Sequence, residues 1–436
     1  MPGAVPAPPA TPPDFAGLSD PDALRFYQQR NWRPAWTQTQ APALTRGLAE
    51  ARRHGLDRVE FAPKTAPGAP PIQQDVGLTL TALGYARALS SGFVDPKTIE
   101  KVFTLKRNEV DLAAGLEQAL AGGKLEDWLA SLPPVDAEYK ALSAAYLDAV
   151  GPAGPASAPT PTAPADTTSS KTAPAKTASA KAATAAASAT PADRARQLAA
   201  NLERRRWLAR TPPATRIDVN TGGAFLTYVR PDTAPFAAHV VVGRDDHETP
   251  SIQASFHKVV ANPKWRVPMD IAKKEILPKG AAYMRREHLR VVGGKVEQDP
   301  GPHNSLGLVK FDVEDPFEIY LHDTPAKSLF ALPERHKSHG CVRVQNAVDF
   351  ARLLAGEGGK ADDFDKALAS GQTSEVDIGR SIPVRMLYHT AYADDAGQVT
   401  VLPDVYGWND KLAVALGLGQ GPAGGSSLEP DTDVGP

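Results

Sequence analysis

The chain has 436 residues, of which 48 are basic and 50 acidic, so its formal net charge near neutral pH is -2. This balance gives no field of one sign, and neither nucleic acid nor an anionic membrane is expected as a partner. The length predicts two or three domains, because a single core rarely grows to this size. The lone cysteine excludes an internal disulfide and marks that thiol as a candidate reactive group.

Composition divides the chain into segments. Residues 1–13 are rich in Pro and Ala and are expected to be disordered, because they offer almost nothing to bury. Apolar residues then recur at helical intervals, which predicts a compact all-helical domain over 14–150. Residues 151–191 are mostly Ala, Pro, Thr and Ser and predict a linker. The Gly- and Pro-rich residues 417–436 predict a disordered tail.

Between the linker and the tail the apolar period changes. A connecting helix is predicted over 192–214, and its arginines, which include Arg204 and Arg206, are expected on a solvated face. Apolar residues then alternate in short runs separated by Gly, Pro or Asp, which indicates strands. We therefore expect an α+β protein, with the helical domain before a mainly β, sandwich-like domain over 215–416 that carries a short lid-like insertion at 280–303.

The strongest chemical signal joins the lone cysteine to two histidines. A predicted strand over 317–321 runs into His322, and a Ser-His-Gly-Cys sequence ending at Cys341 follows. Cysteine attacks as its thiolate and needs a nearby imidazole near neutral pH, so His322 is the expected base. Gly340 lets backbone N–H groups converge on a tetrahedral intermediate, and His339 orients the loop or adds a donor. The pattern predicts an accessible thiol of lowered pKa that is alkylated faster than a free one.

Two other interpretations of these residues stay open from the pattern alone. A single cysteine or histidine is often only a buried core residue, although this combination favours catalysis. A zinc site is the chemical rival, because His336, His339 and Cys341 with His322 or Asp323 are zinc-ligand types. The paired spacing that fixes zinc ligands on a helix or knuckle is missing, which favours the catalytic interpretation.

The motif resembles the signature of the YkuD-type L,D-transpeptidases, and the resemblance covers roughly residues 215–410. Segments similar to that domain are 249–250, 260–268, 271–272, 275–279, 304–307, 310–311, 382–388 and 404–407. In the N-terminal part, residues 26–36 and 54–57 look like the helical scaffold domain of the large, YcbB-type branch. The peptidoglycan-binding domain usual in that branch is replaced here by the linker.

The resemblance implies roles for the catalytic residues. Cys341 is the nucleophile, His322 is its base, and the backbone around His339, Gly340 and Cys341 forms the oxyanion hole. Enzymes of this family hold the acyl group of a peptidoglycan stem peptide as a thioester and pass it to the side-chain amine of a diaminopimelate on another stem. No metal or cofactor is implied, and carbapenems are expected inhibitors.

A second set of residues is expected to bind the substrate. By the same resemblance, Ser338 steadies the catalytic loop and Arg343 faces the donor peptide, and Tyr320, Asp323 and Asn304 are further candidates. Because the lid is short and one domain is missing, the donor is expected to be either diaminopimelate at the third stem position or L-alanine at the first. An L,D-carboxypeptidase or hydrolase stays open, as does a non-catalytic wall-binding protein.

The resemblance also implies a location and partners. Cross-linking enzymes of this family work in the periplasm, so a signal peptide is expected to have been removed before residue 1. No window of the sequence approaches the roughly 18 apolar residues of a membrane span. Peptidoglycan stem peptides are the expected partners, and wall-synthesis proteins are candidate partners of the helical domain.

Overall fold

A helical region precedes a mainly β region in the computed structural model, as predicted. The structure describes residues 12–61, 68–152 and 190–419. The disorder predicted for 1–13 and 417–436, and the linker predicted for 151–191, therefore fall largely outside the described residues.

The helices, in chain order, are α1 Pro21–Gln29, α2 Gln40–Ala49, α3 Pro71–Ser91, α4 Leu112–Ala121, α5 Leu125–Ser131, α6 Ala137–Val150, α7 Pro191–Trp207, α8 Met269–Ile271, α9 Gly280–Arg286, α10 Ala347–Glu357, α11 Ala361–Ala369 and α12 Trp408–Ala415.

Several helices begin where the sequence supplies a polar cap before proline. The carboxylate of Asp20 accepts the N–H groups of Asp22 and Ala23 at the start of α1, both at 3.0 Å. Thr190 and Asp193 form a reciprocal capping box at the start of α7. Such caps satisfy N–H groups that have no partner within the helix, so they fix where each helix begins.

Most of the strands build one large sheet that folds back on itself. The strands are β1 Arg216–Asn220, β2 Phe225–Arg230, β3 Thr233–Gly243, β4 Gln253–Ala261, β5 Trp265–Arg266, β6 Leu289–Val292, β7 Lys295–Gln298, β8 Val309–Phe311, β9 Leu321–His322, β10 His336–Ser338, β11 Val342–Val344, β12 Ser374–Leu387, β13 Ala391–Ala393 and β14 Val399–Val401. The pairing order in the large sheet is β10-β3-β11-β9-β8-β4-β12-β1-β2, and β2 also pairs with β3. Alternate side chains of these strands pack with α10 into one core that includes Phe256, Phe311 and Phe350.

A separate cap lies beside the large sheet. It consists of the three-stranded sheet β5-β7-β6 with α8, the π turn Ala272–Ile276 and α9. Trp265, Ile271, Ile276 and Val296 form its small core. The predicted lid-like insertion at 280–303 covers only the second part of the cap. Trp265, the buried tryptophan in the core of the cap, lies in β5, before the predicted insertion begins.

The helical core extends past the predicted domain boundary. Helix α7 and the chain after β12 pack into it, so Tyr388, Tyr406 and Trp408 share one apolar cluster with Leu198 and Leu202. Because α7 contacts both halves of the chain, it is an interior element rather than a linker helix at the surface. No helix among the described residues is long and apolar enough to cross a membrane.

The solvated face predicted for α7 is wrong at Arg204 and Arg206, which are 3% and 0% exposed. Arg206 forms an ion pair with Glu203 and donates to the Tyr139 hydroxyl at 2.9 Å. Glu203 also accepts the indole N–H of Trp207 at 3.1 Å. Such a buried charge is tolerated when it is paired and hydrogen-bonded, which the sequence spacing alone does not show.

The substitution Arg206→Ala is expected to lower the free energy of unfolding by about 3 to 5 kcal/mol, because it leaves the Glu203 carboxylate buried without a cation. Urea denaturation followed by circular dichroism measures this change. The matched control is Arg205→Ala on the same helix, where the side chain is 17% exposed, and a smaller loss is expected. Equal losses in the two variants would contradict the buried-pair account.

Candidate active site

Of the nucleophile and base predicted from the sequence, His322 ends β9 and Cys341 directly precedes the neighbouring parallel strand β11. The register of β9 and β11 pairs His322 with Arg343, and the Val342 N–H donates to the Tyr320 carbonyl at 3.0 Å. Side chains alternate along a strand, and paired residues share a face. Cys341, which directly precedes β11, therefore projects from the same face as His322.

The surroundings of His322 set its protonation state. Nδ1 lies against the backbone carbonyl of Asp323, which can only accept, so this nitrogen carries the hydrogen. Burial, with a smaller effect of the Arg343 charge, lowers the imidazole pKa to about 3. The ring is therefore neutral and Nε2 has a lone pair, with no hydrogen-bond partner in the part of the chain that the structure describes. This is the state that a general base requires.

Cys341 differs from its sequence prediction. It is only 5% exposed, and its sulfur lies 3.6 Å from the Glu318 carbonyl. Burial raises the thiol pKa to about 11, although the backbone N–H and hydroxyl of Tyr320 act in the opposite direction. The predicted accessible thiol of lowered pKa is wrong for this conformation. The neutral imidazole of His322 supplies no positive charge that would stabilise a thiolate.

The segment over the thiol is a loop where the sequence predicts a strand. Only Leu321–His322 pairs as β9, and the preceding residues 313–320 form the covering loop. The Asp315 carboxylate accepts the N–H groups of Phe317 and Ile319, the former at 2.7 Å. Glu318 has a φ of 58°, which interrupts the extended backbone. The covering loop is thus held by its own hydrogen bonds and, at its two ends, by the sheet, where the Glu314 N–H donates to the Ser255 carbonyl at 2.9 Å and the Tyr320 carbonyl accepts the Val342 N–H.

The catalytic loop is fixed by bonds between its own residues. The Ser338 hydroxyl donates to the Cys341 carbonyl at 2.6 Å and accepts the Gly340 N–H at 3.1 Å. Gly340 has a φ of 114°, a region that favours glycine. Because the Gly340 N–H is engaged, the Cys341 N–H, for which no partner is found among the described residues, is the stronger oxyanion-hole candidate.

His339 connects the catalytic loop to the cap. Its Nε2 lies 2.6 Å from Oε1 of Glu275, and its ring packs edge-on against His247 at 5.1 Å between centroids. The Arg244 guanidinium is 3.7 Å from the same carboxylate. The contact fits the predicted orienting role of His339. The sequence offered Glu275 only as part of a family-like segment, and its pairing with His339 is set by how the cap lies against the sheet.

Two predicted substrate-binding residues have structural contacts instead. Asn304 is 1% exposed, its amide donates to the Pro263 carbonyl at 3.0 Å, and its oxygen accepts the Leu306 N–H at 2.8 Å. The Asp323 carboxylate, also buried, accepts the Leu308 N–H at 3.0 Å and pairs with Lys327. Both side chains hold the backbone that surrounds the site, so direct contact with a substrate is not supported for either.

The other three substrate-binding candidates lie around the thiol. Ser338 is buried within the catalytic loop, and Arg343 is buried opposite His322 in the strand pair. Tyr320 is partly exposed, packs against the core of the cap, and has the Lys310 ammonium 4.5 Å from its ring centroid. Of the five candidates, Tyr320 is the one placed at the surface of the site.

The zinc set considered from the sequence does not assemble. The ring of His336 contacts the Glu334 carboxylate through Nδ1 and the Thr221 carbonyl, at 2.8 Å, through Nε2. Across the described ranges no three His, Cys, Asp or Glu side chains converge as metal ligands do. The arrangement instead offers a thiol, a neutral imidazole and a backbone donor, the components of acyl transfer.

Comparisons with known proteins agree with this chemistry. Residues 214–377 match the model of the L,D-transpeptidase catalytic domain of the YkuD family, and residues 22–145 match that of the scaffold domain. A protein of Haemophilus influenzae whose name assigns it, provisionally, to the L,D-transpeptidases is 30% identical over 224 residues. That match covers 46% of this chain and 45% of the relative, so the chain spans about half of its length.

A solved structure, the Ldtfm-avibactam carbamoyl enzyme, is also similar to part of this chain. It shares 14% sequence identity with a TM-score of 0.24, and the match covers 41% of this chain and 52% of that one. This likeness is too distant to add to the domain assignment.

Alkylation of Cys341 by iodoacetamide is expected to rise about tenfold per pH unit above neutrality, with its half-maximum near pH 11, because burial keeps the thiol protonated. The chain has one cysteine, and mass spectrometry of the peptide that contains it separates its alkylation from that of lysine amines at high pH. The urea-unfolded chain is the control, with a half-maximum expected near about 8.5. A plateau already reached below neutral pH in the folded protein would contradict the raised pKa.

Proposed function

We propose that this chain, which carries a YkuD-type L,D-transpeptidase catalytic domain behind a scaffold domain, cross-links peptidoglycan by acyl transfer through Cys341. The observation that carries the proposal is the thiol of Cys341 on the same strand-pair face as a neutral His322, whose Nε2 lacks a partner among the described residues. A nucleophile and base placed in this way are what covalent catalysis needs.

The first half-reaction forms a thioester. The Cys341 thiol passes its proton to Nε2 of His322 as the sulfur bonds to the carbonyl carbon of the donor L-residue. The imidazolium is stabilised by its Nδ1–H, which keeps its hydrogen bond to the Asp323 carbonyl. The Cys341 N–H donates to the oxyanion. When the bond to the following D-residue breaks, the leaving amine takes the proton from Nε2.

The second half-reaction transfers the acyl group. The side-chain amine of a diaminopimelate attacks the thioester carbonyl and gives one proton to Nε2 of His322. The carbon–sulfur bond then breaks, the sulfur takes that proton back, and a new amide joins two stems. Because the resting thiol and imidazole are both neutral, each proton moves during attack or collapse rather than in the free enzyme.

The donor must displace the covering loop before it can react. The Cys341 sulfur lies under the Glu318 carbonyl, and the loop is held by Asp315, so a bound stem peptide has to replace these contacts. Donors compatible with the chemistry are diaminopimelate at the third stem position and L-alanine at the first. Because the proposed substrate is peptidoglycan, the proposed location is the periplasm, with carbapenems as expected acylating inhibitors and wall-synthesis proteins as candidate partners of the helical domain.

Incubation with purified tetrapeptide muropeptides and sacculi tests the proposal. Wild-type protein is expected to form dimers, Cys341→Ala none, and His322→Ala at least about 100-fold fewer, because the base is lost. Alkylation of Cys341 at high pH should persist in His322→Ala, because hydroxide removes the thiol proton and the imidazole is not needed. Mass spectrometry of the dimers distinguishes the two donors.

The matched control is His239→Ala, an exposed histidine of β3 whose Nδ1 lies 3.2 Å from the Phe330 carbonyl, which should leave dimer formation unchanged. Shortened stems without dimers would assign a carboxypeptidase or hydrolase. Dimers formed equally by Cys341→Ala would contradict the proposed nucleophile, and the absence of any Cys341-dependent product would leave a wall-binding protein.

A further inference from the structure

The backbone next to the nucleophile is held by a side chain from outside the catalytic loop. The Thr249 hydroxyl donates to the Gly340 carbonyl at 2.8 Å and accepts the Gly243 N–H at 2.9 Å. Thr249 is fully buried. One hydroxyl thus joins the end of β3 to the residue that precedes Cys341, and it fixes the direction of the Gly340 carbonyl.

Thr249 is itself held by a tyrosine from the C-terminal segment. The Tyr406 hydroxyl accepts the Thr249 N–H at 3.2 Å and donates to the Gly243 carbonyl at 2.7 Å. The hydroxyls of Thr249 and Tyr406 therefore both donate and accept, and they satisfy three backbone groups of this buried network besides the Gly340 carbonyl. Fully satisfied buried networks of this kind favour one geometry over its alternatives.

Tyr406 is anchored in the apolar cluster that the helical domain shares with α7 and the C-terminal segment. Its ring stacks on Tyr388 at 4.9 Å and packs against Trp408 at the same distance. The Arg204 guanidinium of helix α7 lies 5.0 Å from the Tyr388 ring centroid. The hydroxyl of Tyr406 reaches the end of β3, while its ring belongs to this shared cluster and also packs edge-on against His336 at 5.4 Å between centroids.

The helical domain also contacts the strand that follows Thr249. The Thr104 N–H donates to the Ser251 carbonyl at 3.0 Å, and its hydroxyl accepts the Gln253 N–H at 3.2 Å. Phe103, beside it, packs edge-on against Trp207 at 5.6 Å between ring centroids. The segment that begins at Thr249 is thus held on one side by Tyr406 and on the other by Thr104.

We infer that the helical domain positions the nucleophile, and that Thr249 and Tyr406 are the positioning residues through which it acts. Neither touches the reacting atoms. They fix the Gly340 carbonyl, and with it the direction of the Cys341 N–H and side chain. The inference rests on the proposed function only in taking Cys341 as the reacting group, so it can be tested by thiol chemistry without any cross-linking assay.

The test compares Thr249→Val, which keeps the shape but loses the hydroxyl, with Thr249→Ser, which keeps the hydroxyl, and with Tyr406→Phe. In Thr249→Val and Tyr406→Phe, kcat for dimer formation is expected to fall about tenfold, with KM changed less than about twofold, because the transition-state geometry is affected more than binding. The half-maximum of Cys341 alkylation should move from near 11 towards the free-thiol value of about 8.5 as the loop loosens. Thr249→Ser should retain wild-type behaviour in both assays.

A scaffold-side variant and a matched control separate positioning from loss of stability. Phe103→Ala removes the packing beside Thr104, whose N–H donates to the Ser251 carbonyl. It should change kcat and the alkylation profile in the same direction as Thr249→Val does. Tyr27→Phe removes a buried hydroxyl that bonds Asp75 at 2.6 Å within the same helical core, and should change neither. Thermal unfolding verifies that each variant is folded at the assay temperature.

The inference is overturned if Thr249→Val and Tyr406→Phe lose stability but keep both the wild-type kcat and the wild-type alkylation profile, or if Thr249→Ser fails as completely as Thr249→Val. Should the wild-type protein form no cross-links, the proposed function fails alone. The alkylation profiles of the same variants would still decide whether the helical domain positions Cys341.

Discussion

The parallel pairing of β9 with β11 is the constraint on which the site depends. It is a contact of only a few residues, yet it brings Cys341, directly before β11, beside His322 at the end of β9. A shift of one residue in this register would turn His322 to the opposite face. The surrounding strands, the catalytic loop and the carbonyl of Asp323 all act to hold that register and the orientation of the ring.

Burial gives this pair a particular chemical character. A cysteine and histidine in a polar cleft can rest as thiolate and imidazolium, but here removal from water raises the thiol pKa and lowers that of the imidazole. Both groups are therefore neutral at rest, and the thiol is protected from oxidation and from adventitious electrophiles. In the proposed reaction, activation then depends on the substrate, which has to move the covering loop and bring its own carbonyl to the sulfur.

The two halves of the chain pack against each other through α7 and the C-terminal segment. Arg204, Arg206 and Glu203 of α7 are buried because the helix lies between the helical domain and the C-terminal segment, and Glu100 and Glu203 compensate the two arginines there. The same interior contains Tyr406, whose hydroxyl reaches the strand end beside the catalytic loop. A domain that makes no contact with the reacting atoms is thus connected to them by a short series of buried hydrogen bonds.

The sequence by itself determined the order of the domains, the mainly β nature of the second half, and Cys341 and His322 as the candidate pair, because periodicity and the spacing of rare reactive residues are local properties. Only the tertiary structure decided burial and partners. The Asn304 amide donates to the Pro263 carbonyl, the Asp323 carboxylate accepts the Leu308 N–H, and Arg206 is interior because Tyr139 meets it there. The thiol pKa, the link from Glu275 to His339 and the hold of Thr249 on Gly340 depend on which segments pack together. Such contacts join residues far apart in the chain, so no local pattern reveals them.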